Sequence, residues 1–392
     1  MLAGRHRAVA EVDLEAIRHN VRRLMRDLPD GAVHCAVVKA NGYGHGAVPA
    51  ARAALEAGST WLGVATAPEA EELRAAGLTA PILIFGPLTG ADLERAVTAG
   101  AEVVGWSAPF VAEAVRLGAR VHVKVDTGMG RLGVPAHEAV ALCEQADAGG
   151  ALSGLMSHFA TADEADTGFF EQQLARFTKL AVELKERHPG LLCHTANSAA
   201  TLRAPRAHFD MVRTGIAMYG LAPANDDPFK DGLRPAMKLA SHVSGVREAF
   251  PGESVGYGRT FYAVELTRIA IVPIGYGDGV RRALSNRGEV LVAGRRCPIV
   301  GRISMDQMTV RLPDDWGEPG DEVVLFGAAG DGVAGGATVA STAPDGPRVD
   351  APETPRILCE ETARLLGTIN YEVACDVAPR VARRYRGDSP AA

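Results

Sequence analysis

The first half of the chain alternates short apolar runs with amphipathic, alanine-rich stretches. Asp13 has the character of a helix N-cap, and Leu14, Ile17, Val21 and Leu24 follow it at helical spacing. Apolar runs typical of buried strands then recur at Val33–Val38, Trp61–Val64, Ile82–Phe85, Glu102–Val104, Val121–Val125, Leu152–Met156, Leu192–His194 and Phe209–Val212. Helical stretches separate most of them, at Ala47–Ala57, Pro68–Ala76, Asp92–Ala99, Pro109–Leu117 and Thr167–Arg187. This alternation predicts a closed (β/α)8 barrel of the TIM type, with a doubly wound open sheet as the alternative.

The pattern changes after Lys238. Strand-like segments separated by Gly, Pro and Asp follow at Ala240–Arg247, Thr267–Pro273, Glu289–Val292, Cys297–Val300, Met308–Leu312 and Glu322–Phe326. Only Arg356–Leu366 has a helical pattern, so a second, mainly antiparallel β domain is expected. We therefore predict a barrel over 8–238 and a β domain over 239–386, which residues 1–7 join. The Gly-, Pro- and Ala-rich tract 330–355 is predicted to be a disordered surface insertion.

Composition narrows the class of protein. Of 392 residues, 47% are hydrophobic, which excludes a chain that is disordered throughout. The net charge of −6 argues against a protein that binds a nucleic-acid backbone. No apolar stretch approaches the ~20 residues of a membrane span, and the first residues lack the apolar core of a signal peptide. The six cysteines have no C-x-x-C spacing and are interpreted as buried thiols, so we expect a cytoplasmic protein without a metal site.

Polar side chains follow the predicted barrel strands where each strand ends. Lys39 follows the first strand, Lys124 and Asp126 end the fifth, and the others are His158, Asn197, Ser198 and Arg213. Catalytic groups of such barrels lie at the carboxyl ends of the strands. The convergence of several such residues from separate strands predicts an active site at this end of the barrel.

Lys39 has the setting of an amine that reacts with an aldehyde. An ammonium at the end of an apolar strand loses hydration, which lowers its pKa and favours the neutral amine. Such an amine forms a Schiff base, and pyridoxal phosphate is its commonest biological partner. The glycine-rich segment 41–46 allows the backbone to approach a ligand closely. The alternative is a lysine that extends from the strand end to solvent.

The strand Val121–Val125 and the loop after it carry a second set of charges. Strand alternation is expected to turn His122, Lys124 and Asp126 towards the barrel interior. A buried lysine needs a counter-charge or a chemical modification, and a structural Lys–Asp pair is the simpler alternative. The loop returns Arg131 to the barrel mouth, where its guanidinium suits a carboxylate.

The loop after Arg213 is predicted to bind phosphate. Gly215 and Ile216 offer free amides at the end of the last strand, the usual phosphate position in such barrels. The hydroxyls of Ser198 and Tyr43 are candidate further donors.

The motifs together resemble the bacterial, pyridoxal-phosphate-dependent alanine racemases. The segment Ala36-Val-Val-Lys39-Ala-Asn-Gly-Tyr43-Gly-His-Gly46 is similar to the cofactor-attachment signature of that family. Further segments resemble the family in the same order: Lys124-Val-Asp-Thr-Gly-Met-Gly-Arg131, His158-Phe-Ala160, Asn197-Ser198, Arg213-Thr-Gly-Ile-Ala-Met-Tyr-Gly220, Gly256-Tyr-Gly258, Gly275-Tyr-Gly-Asp-Gly279, Gly301-Arg-Ile-Ser-Met-Asp306 and Ile369-Asn-Tyr-Glu372. The resemblance spans 9–383, nearly the whole chain.

The resemblance implies a two-base mechanism that interconverts L- and D-alanine. Lys39 would bind the cofactor and take the α-proton of the D-enantiomer, while Tyr257 would take the α-proton of the L-enantiomer on the opposite face of the cofactor. His158 would contact Tyr257, and Arg213 would lie behind His158 and contact the pyridine nitrogen. Arg131 would hold the cofactor's phenolate oxygen and the substrate carboxylate.

The remaining roles follow from the same resemblance. Lys124 corresponds to a lysine that is carbamylated in many members. The cofactor-binding set would also include Tyr43, Asn197, Ser198, Gly215, Ile216 and Tyr371. Tyr257 would reach the barrel of a second subunit together with the substrate-binding residues Tyr276, Met305 and Asp306, so a homodimer is expected. The implied role is to supply D-alanine for peptidoglycan.

Three other functions stay open at this point. A broader amino-acid racemase would share the scaffold and differ only in pocket volume near Tyr276 and Tyr371. A decarboxylase with a related barrel would use a cysteine and an aspartate, but Cys359 and Cys375 do not fit that motif. A cofactor-handling protein without catalysis would need only the barrel, so the second domain argues against it.

Overall fold

The computed structural model describes residues 6–330 and 354–387. The predicted insertion 330–355 falls almost entirely outside these ranges. Two compact units are present, one formed by 13–236 and the other by 6–12 with 237–386. The strands are β1 (Val9–Asp13), β2 (Val33–Val37), β3 (Trp61–Val64), β4 (Ile82–Ile84), β5 (Glu102–Gly105), β6 (Val121–Asp126), β7 (Val134–Pro135), β8 (Leu152–Met156), β9 (Leu192–His194), β10 (Met211–Thr214), β11 (Met237–His242), β12 (Gly245–Ala249), β13 (Ser254–Val255), β14 (Phe261–Tyr262), β15 (Thr267–Val272), β16 (Glu289–Val292), β17 (Arg295–Pro298), β18 (Met308–Leu312), β19 (Glu322–Ala328), β20 (Arg356–Ile357) and β21 (Ala382–Arg386).

The helical elements of the first unit alternate with its strands. They are α1 (Leu14–Met25), α2 (Lys39–Tyr43), α3 (Ala47–Glu56), α4 (Ala67–Ala75), α5 (Gly90–Thr98), α6 (Ala108–Arg116), α7 (Ala136–Ala148), α8 (Gly168–Arg187) and α9 (Ser198–Arg203). Side-chain caps begin several of them, and Thr66 and Glu69 form a reciprocal capping box at α4. The second unit contains α10 (Cys359–Leu366) and α11 (Asn370–Cys375).

The first unit is a nearly closed parallel barrel. Its strands pair in the order β10-β2-β3-β4-β5-β6-β8-β9, and β7 pairs with β6 at the side. Between β9 and β10 the Asp210 N–H donates to the Cys193 carbonyl at 3.0 Å, and the Arg213 N–H donates to that of Ala196 at 3.0 Å. The predicted barrel is confirmed. The open-sheet alternative is wrong, because the strand order runs round without the reversal that a doubly wound sheet requires.

The barrel interior contains an apolar cluster beside its buried polar side chains. One buried cluster contains Cys35, Leu83, Val104, Met156 and Met211, each from a different strand. Because such layers close the barrel as a packed core, ligands are left only the mouth formed by the loops.

The second unit is built on antiparallel sheets, as predicted. Its largest sheet has the order β17-β16-β19-β11-β1-β21, with β20 paired to β19. Smaller sheets are formed by β12-β15-β18 and by β13-β14. The segment Arg356–Leu366 was predicted to be one helix, but it begins with β20 and becomes helical only at Cys359. Helix α11 escaped prediction because six residues are too few to display a helical period.

Five of the six cysteines are buried, whereas Cys375 is exposed. The expectation of buried thiols is therefore wrong for Cys375, which ends α11 while Val373 and Ala374 form its buried side. Within 6–330 and 354–387, none of the helices combines the length and apolar character needed to cross a membrane.

Candidate active site

Lys39 begins a single helical turn of the left-handed sense directly after β2. Four successive residues from Ala40 to Tyr43 have φ between 52° and 60°, and only Gly42 among them is a glycine. A left-handed conformation costs about 1–2 kcal/mol for each non-glycine residue, so outside contacts must stabilise it. The Ala40 N–H donates to a Glu69 oxygen at 2.7 Å, and the Ala47 N–H donates to Asn41 at 3.0 Å.

Glu69 therefore has two functions at this site. Its second carboxylate oxygen accepts from the backbone of Ala65 and Thr66, at 2.7 and 3.1 Å. The same side chain thus caps α4 and supports the strained turn that carries Lys39. Strain that is held by several contacts is typical of functional sites.

A chain of hydrogen bonds crosses the barrel interior from Glu102 to Arg213. Glu102 Oε2 lies 2.8 Å from His122 Nε2, and His122 Nδ1 lies 2.7 Å from His194 Nε2. His194 Nδ1 in turn lies 2.7 Å from a terminal nitrogen of Arg213. Both histidines are fully buried, and so is most of Arg213. We call these four residues the barrel relay.

The two ends of the barrel relay determine where its protons lie. A guanidinium only donates, so His194 Nδ1 must accept from Arg213 and His194 carries its proton on Nε2. That proton is donated to His122 Nδ1, which leaves the His122 proton on Nε2, directed at Glu102. A carboxylate only accepts, so the arrangement is consistent from end to end. The hydrogen-bond pattern of the relay therefore selects one arrangement of donors and acceptors for both imidazoles.

Arg213 is held in place by several further acceptors. One terminal nitrogen donates to the carbonyls of Ser157 and Thr195, at 2.9 and 3.1 Å, and lies 3.4 Å from His158 Nδ1. Burial lowers the pKa of Arg213 to about 10, which still leaves it a cation at neutral pH. Since Arg213 donates, His158 Nδ1 faces it as an acceptor.

Positive charges surround His158. Burial, followed by the charges of Lys124, Arg213, Arg131 and Lys39, lowers the pKa of His158 far below its ordinary value. These five residues were all predicted from the sequence, and the structure brings the four cations within electrostatic reach of His158. His158 is therefore a neutral imidazole, able to accept and donate one hydrogen bond each.

Lys124 is buried, as the strand alternation predicted. Burial and the charges of Arg213 and Arg131 lower the pKa of Lys124 well below its ordinary value, against a smaller opposite effect of Asp126. The environment favours the neutral amine. His122 also lies inside the barrel, but the valines of β6 are equally buried, so the strand has no exposed face.

Asp126 organises the loop that carries Arg131. Its carboxylate accepts from the backbone N–H groups of Gly128, Met129 and Gly130 at 2.8, 2.8 and 2.9 Å. A carboxylate committed to three loop amides is not the counter-ion of a structural Lys–Asp pair, so that interpretation is replaced by a loop-forming one. The exposed Arg131 guanidinium ends this loop.

The Gly215 N–H was expected to be free, but it donates to Ser198 within a compact cradle of polar groups. Ser198 Oγ accepts from the N–H groups of Gly215 and Ala217 at 3.1 and 3.4 Å, and Asn197 caps α9 through the Ala200 N–H at 3.0 Å. A Cβ on Gly215 would lie 2.3 Å from the Tyr43 hydroxyl, so only glycine fits there. Closely set hydroxyls, amides and a helix start suit a phosphate group. The residues present thus fit the phosphate of the cofactor that the sequence implies.

The other predicted site residues belong to the second unit. Tyr257 is 71% exposed in a turn flanked by Gly256 and Gly258, whose φ values are 77° and 70°. Tyr276 and Met305 are also exposed, at 43% and 52%. Large exposed side chains of this kind mark interaction surfaces when they cluster. The remaining two are Asp306, which pairs with Arg380 at 2.8 Å, and Tyr371 on α11.

Sequence reasoning missed several residues that shape the site. Glu102 and His194 were passed over because their contacts depend on which strand positions meet inside the barrel. Gln173 was missed because it lies on a helix away from the strand ends. For Glu102, the only signal in the sequence was that a charged residue begins the apolar run of β5. No group of three or more His, Cys, Asp or Glu within the described ranges is arranged to hold a metal ion.

Comparison with known proteins gives a consistent result over the whole chain. Residues 12–223 match the family description "Alanine racemase, N-terminal domain", and residues 236–345 match "Alanine racemase, C-terminal domain". A protein of Symbiobacterium thermophilum named alanine racemase is 41% identical over 403 residues, covering 99% of both chains. One of Thermobifida fusca with the same name is 43% identical, covering 97% of this chain and 98% of the relative. The crystal structure of alanine racemase from Streptomyces lavendulae has a TM-score of 0.87 and 38% identity, covering 98% of each chain.

Proposed function

This chain belongs to the alanine racemase family, and we propose that it interconverts L- and D-alanine with pyridoxal 5′-phosphate as cofactor. The observation that carries the cofactor assignment is that Lys39 lies at the same barrel mouth as the polar cradle of Ser198, Gly215 and Tyr43. An amine for covalent attachment and a set of phosphate donors are the two parts that binding this cofactor requires.

The bound cofactor supplies an electron sink that makes the α-proton of the amino acid acidic. The chain supplies everything else. Ser198, Gly215, Ile216, Tyr43, Asn197 and Tyr371 hold the phosphate end. Arg213 would donate to the ring nitrogen, which would weaken the electron sink and limit side reactions. Arg131 holds the phenolate oxygen and the substrate carboxylate through charge-assisted hydrogen bonds.

Proton transfer on the two faces is assigned to two residues. Lys39 takes the α-proton of the D-enantiomer and Tyr257 takes that of the L-enantiomer. A phenol has a pKa near 10 and needs a partner to act as a base at neutral pH. His158 is suited to be that partner, because burial and then the surrounding cations lower its pKa and favour the neutral imidazole.

The proposal places one base on each face of the cofactor, and the second base comes from a second subunit. Tyr257, with the substrate-binding residues Tyr276, Met305 and Asp306, would complete the barrel mouth of a partner in a homodimer. The exposure of Tyr257, Tyr276 and Met305 supports this assignment. The neutral state favoured at Lys124 suits carbamylation, which would give Arg131 an anionic partner. We place the enzyme in the cytoplasm, supplying D-alanine for peptidoglycan.

The first experiment follows the optical rotation of L-alanine incubated with the purified protein and pyridoxal phosphate. Loss of rotation towards zero is expected. Unchanged rotation from a protein that still carries the yellow cofactor would reject alanine as substrate. Tests on other amino acids would then decide for a broader racemase or for a cofactor-handling protein.

The second experiment tests the role of Tyr257. We expect Tyr257→Phe to impair L-to-D conversion far more than it impairs cofactor binding, because the phenol is assigned to proton transfer and is not one of the residues assigned to hold the cofactor. Initial rates in both directions and visible absorbance are the measurements. Equal loss of activity and absorbance would count against this role.

A further inference from the structure

We propose that Gln173 is a positioning residue for the racemase reaction, holding the loop of His158 and the loop of Arg131 at a fixed separation. The proposal rests on the function proposed above, because the roles of His158 and Arg131 come from it. Gln173 lies on α8, outside the strand ends that carry the site.

The side chain of Gln173 contacts both loops at once. It is fully buried, and its Oε1 accepts from the Ala160 N–H at 2.8 Å. Its Nε2 donates to the His158 carbonyl at 3.2 Å and to Thr127 Oγ1 at 3.3 Å. A primary amide has two N–H donors, and each here has its own acceptor on a different loop.

These contacts permit one orientation of the amide. Turning it over would direct its NH2 group at the Ala160 N–H, leaving two donors facing each other in a buried place. Thr127 Oγ1, which accepts from the amide, also forms a hydrogen bond of 2.8 Å with Ser157 Oγ. The Ser157 carbonyl accepts from Arg213 at 2.9 Å. Hydrogen bonds and one residue of backbone thus connect α8 to Arg213.

Other side chains on the same face of α8 contact the Arg131 loop. Phe169, Gln173 and Arg176 follow the i, i+4, i+7 spacing of a single helix face. Arg176 donates to the Thr127 carbonyl at 2.8 Å. The ring of Phe169 lies so near Gly128 that a Cβ there would come within 2.6 Å of it. The face is therefore built to fix this loop, and Gln173 is the member that also binds the His158 loop.

The test compares the wild-type holoenzyme with Gln173→Met and Gln173→Glu. Methionine retains the length of the side chain but none of its hydrogen bonds. Glutamate retains the shape and the acceptor for Ala160, but as a carboxylate it opposes the His158 carbonyl. A misplacement near 1 Å costs about 100-fold in rate, so we expect Gln173→Met to lower kcat/KM by about 30- to 100-fold. We expect kcat to fall and KM to rise together, since both loops shift.

The controls separate positioning from packing and from the function itself. Gln172→Met changes the exposed neighbour on the same helix and should leave kcat, KM, Tm and the visible spectrum of the cofactor unchanged. If Gln173→Met lowers Tm while kcat/KM stays within about threefold of wild type, the residue only packs and the proposal is overturned. If that variant does not fold, Gln173→Glu decides by the same criterion. A wild-type enzyme inactive on alanine would reject the proposed function instead.

Discussion

Replacing Glu102 by glutamine tests whether the barrel relay controls Arg213. The substitution keeps the size of the side chain and removes its charge. The new amide has an oxygen on one side and an NH2 group on the other, whereas both oxygens of Glu102 now face donors. Oε2 faces His122 and Ser153, and Oε1 lies 3.3 Å from Arg120. In either orientation, the NH2 group of the new glutamine therefore faces another hydrogen-bond donor.

The size of the effect follows from the kind of hydrogen bond that is lost. A hydrogen bond to a charged group contributes about 1.5–3 kcal/mol and a neutral one about 0.5–1.5 kcal/mol, so the difference is about 1–2 kcal/mol. We expect the free energy of unfolding to fall by about that amount. If the relay transmits the loss to Arg213, kcat falls by about 5- to 30-fold, since each 1.36 kcal/mol is a factor of ten.

The pH dependence has a definite sign. Burial raises the pKa of Glu102, but hydrogen bonds from His122 and Ser153 and the nearby charges outweigh it, so the net pKa lies below the ordinary value. A depressed carboxyl pKa stabilises the fold above the unfolded pKa, near 4.3, and that contribution is lost as pH falls through the folded pKa. The stability difference between wild type and Glu102→Gln should therefore shrink below about pH 4.

Denaturant unfolding and racemisation rates in both directions measure these effects. Glu94→Gln is the matched control, because it removes the same charge from an exposed position of the barrel unit. Normal kcat in a destabilised Glu102→Gln would refute the link between the relay and Arg213. Normal stability would refute the charged hydrogen bond itself.

Two further predictions concern buried groups of the barrel. Gly154→Ala places a Cβ 2.3 Å from His122 Nδ1 and 2.7 Å from the Leu192 carbonyl. His122 must therefore move, and we expect kcat to fall. In the control Gly90→Ala the new Cβ has no atom within 4 Å, so kcat should not change. Equal rates for the two variants would contradict this geometry. Burial lowers the pKa of His34 to about 4. As the pH falls, the unfolded chain therefore takes up a proton on this histidine before the folded chain does. The free energy of unfolding should fall by about 3 kcal/mol between about pH 6.5 and 4. In urea unfolding, wild type should lose about 3 kcal/mol of stability relative to His34→Gln between about pH 6.5 and 4, and parallel pH curves would argue against a buried neutral His34.

The fold could be predicted from the sequence because each barrel strand is a local feature. The runs at Trp61–Val64, Leu152–Met156 and Leu192–His194 are strands with those same bounds. A run of apolar residues bounded by helical stretches identifies a buried parallel strand without any knowledge of its neighbours. Counting eight such runs was enough to favour a closed barrel.

The contacts inside the site depend on information that a local pattern lacks. The hydrogen bond between His122 and His194 requires the register of β6, β8 and β9, in which Lys124 pairs with Met156 and Met156 with His194. The left-handed turn after Lys39 depends on Glu69, 30 residues further along the chain. Glu69 accepts from the Ala40 N–H and Asn41 accepts from the Ala47 N–H, so contacts outside the turn stabilise its positive φ values.

The charges at the barrel mouth explain why these polar contacts are needed. Arg131 and Arg213 bring positive charge to bear on His158, while Asp126 accepts from its loop amides and Glu102 accepts from His122. Such a concentration of like charge opposes folding unless rigid contacts hold it together. On the function proposed above, a phosphate and a carboxylate would bring negative charge to this mouth, and ligands of that chemistry would stabilise the folded chain by mass action. The positive charge at the mouth therefore favours anionic ligands over cationic ones.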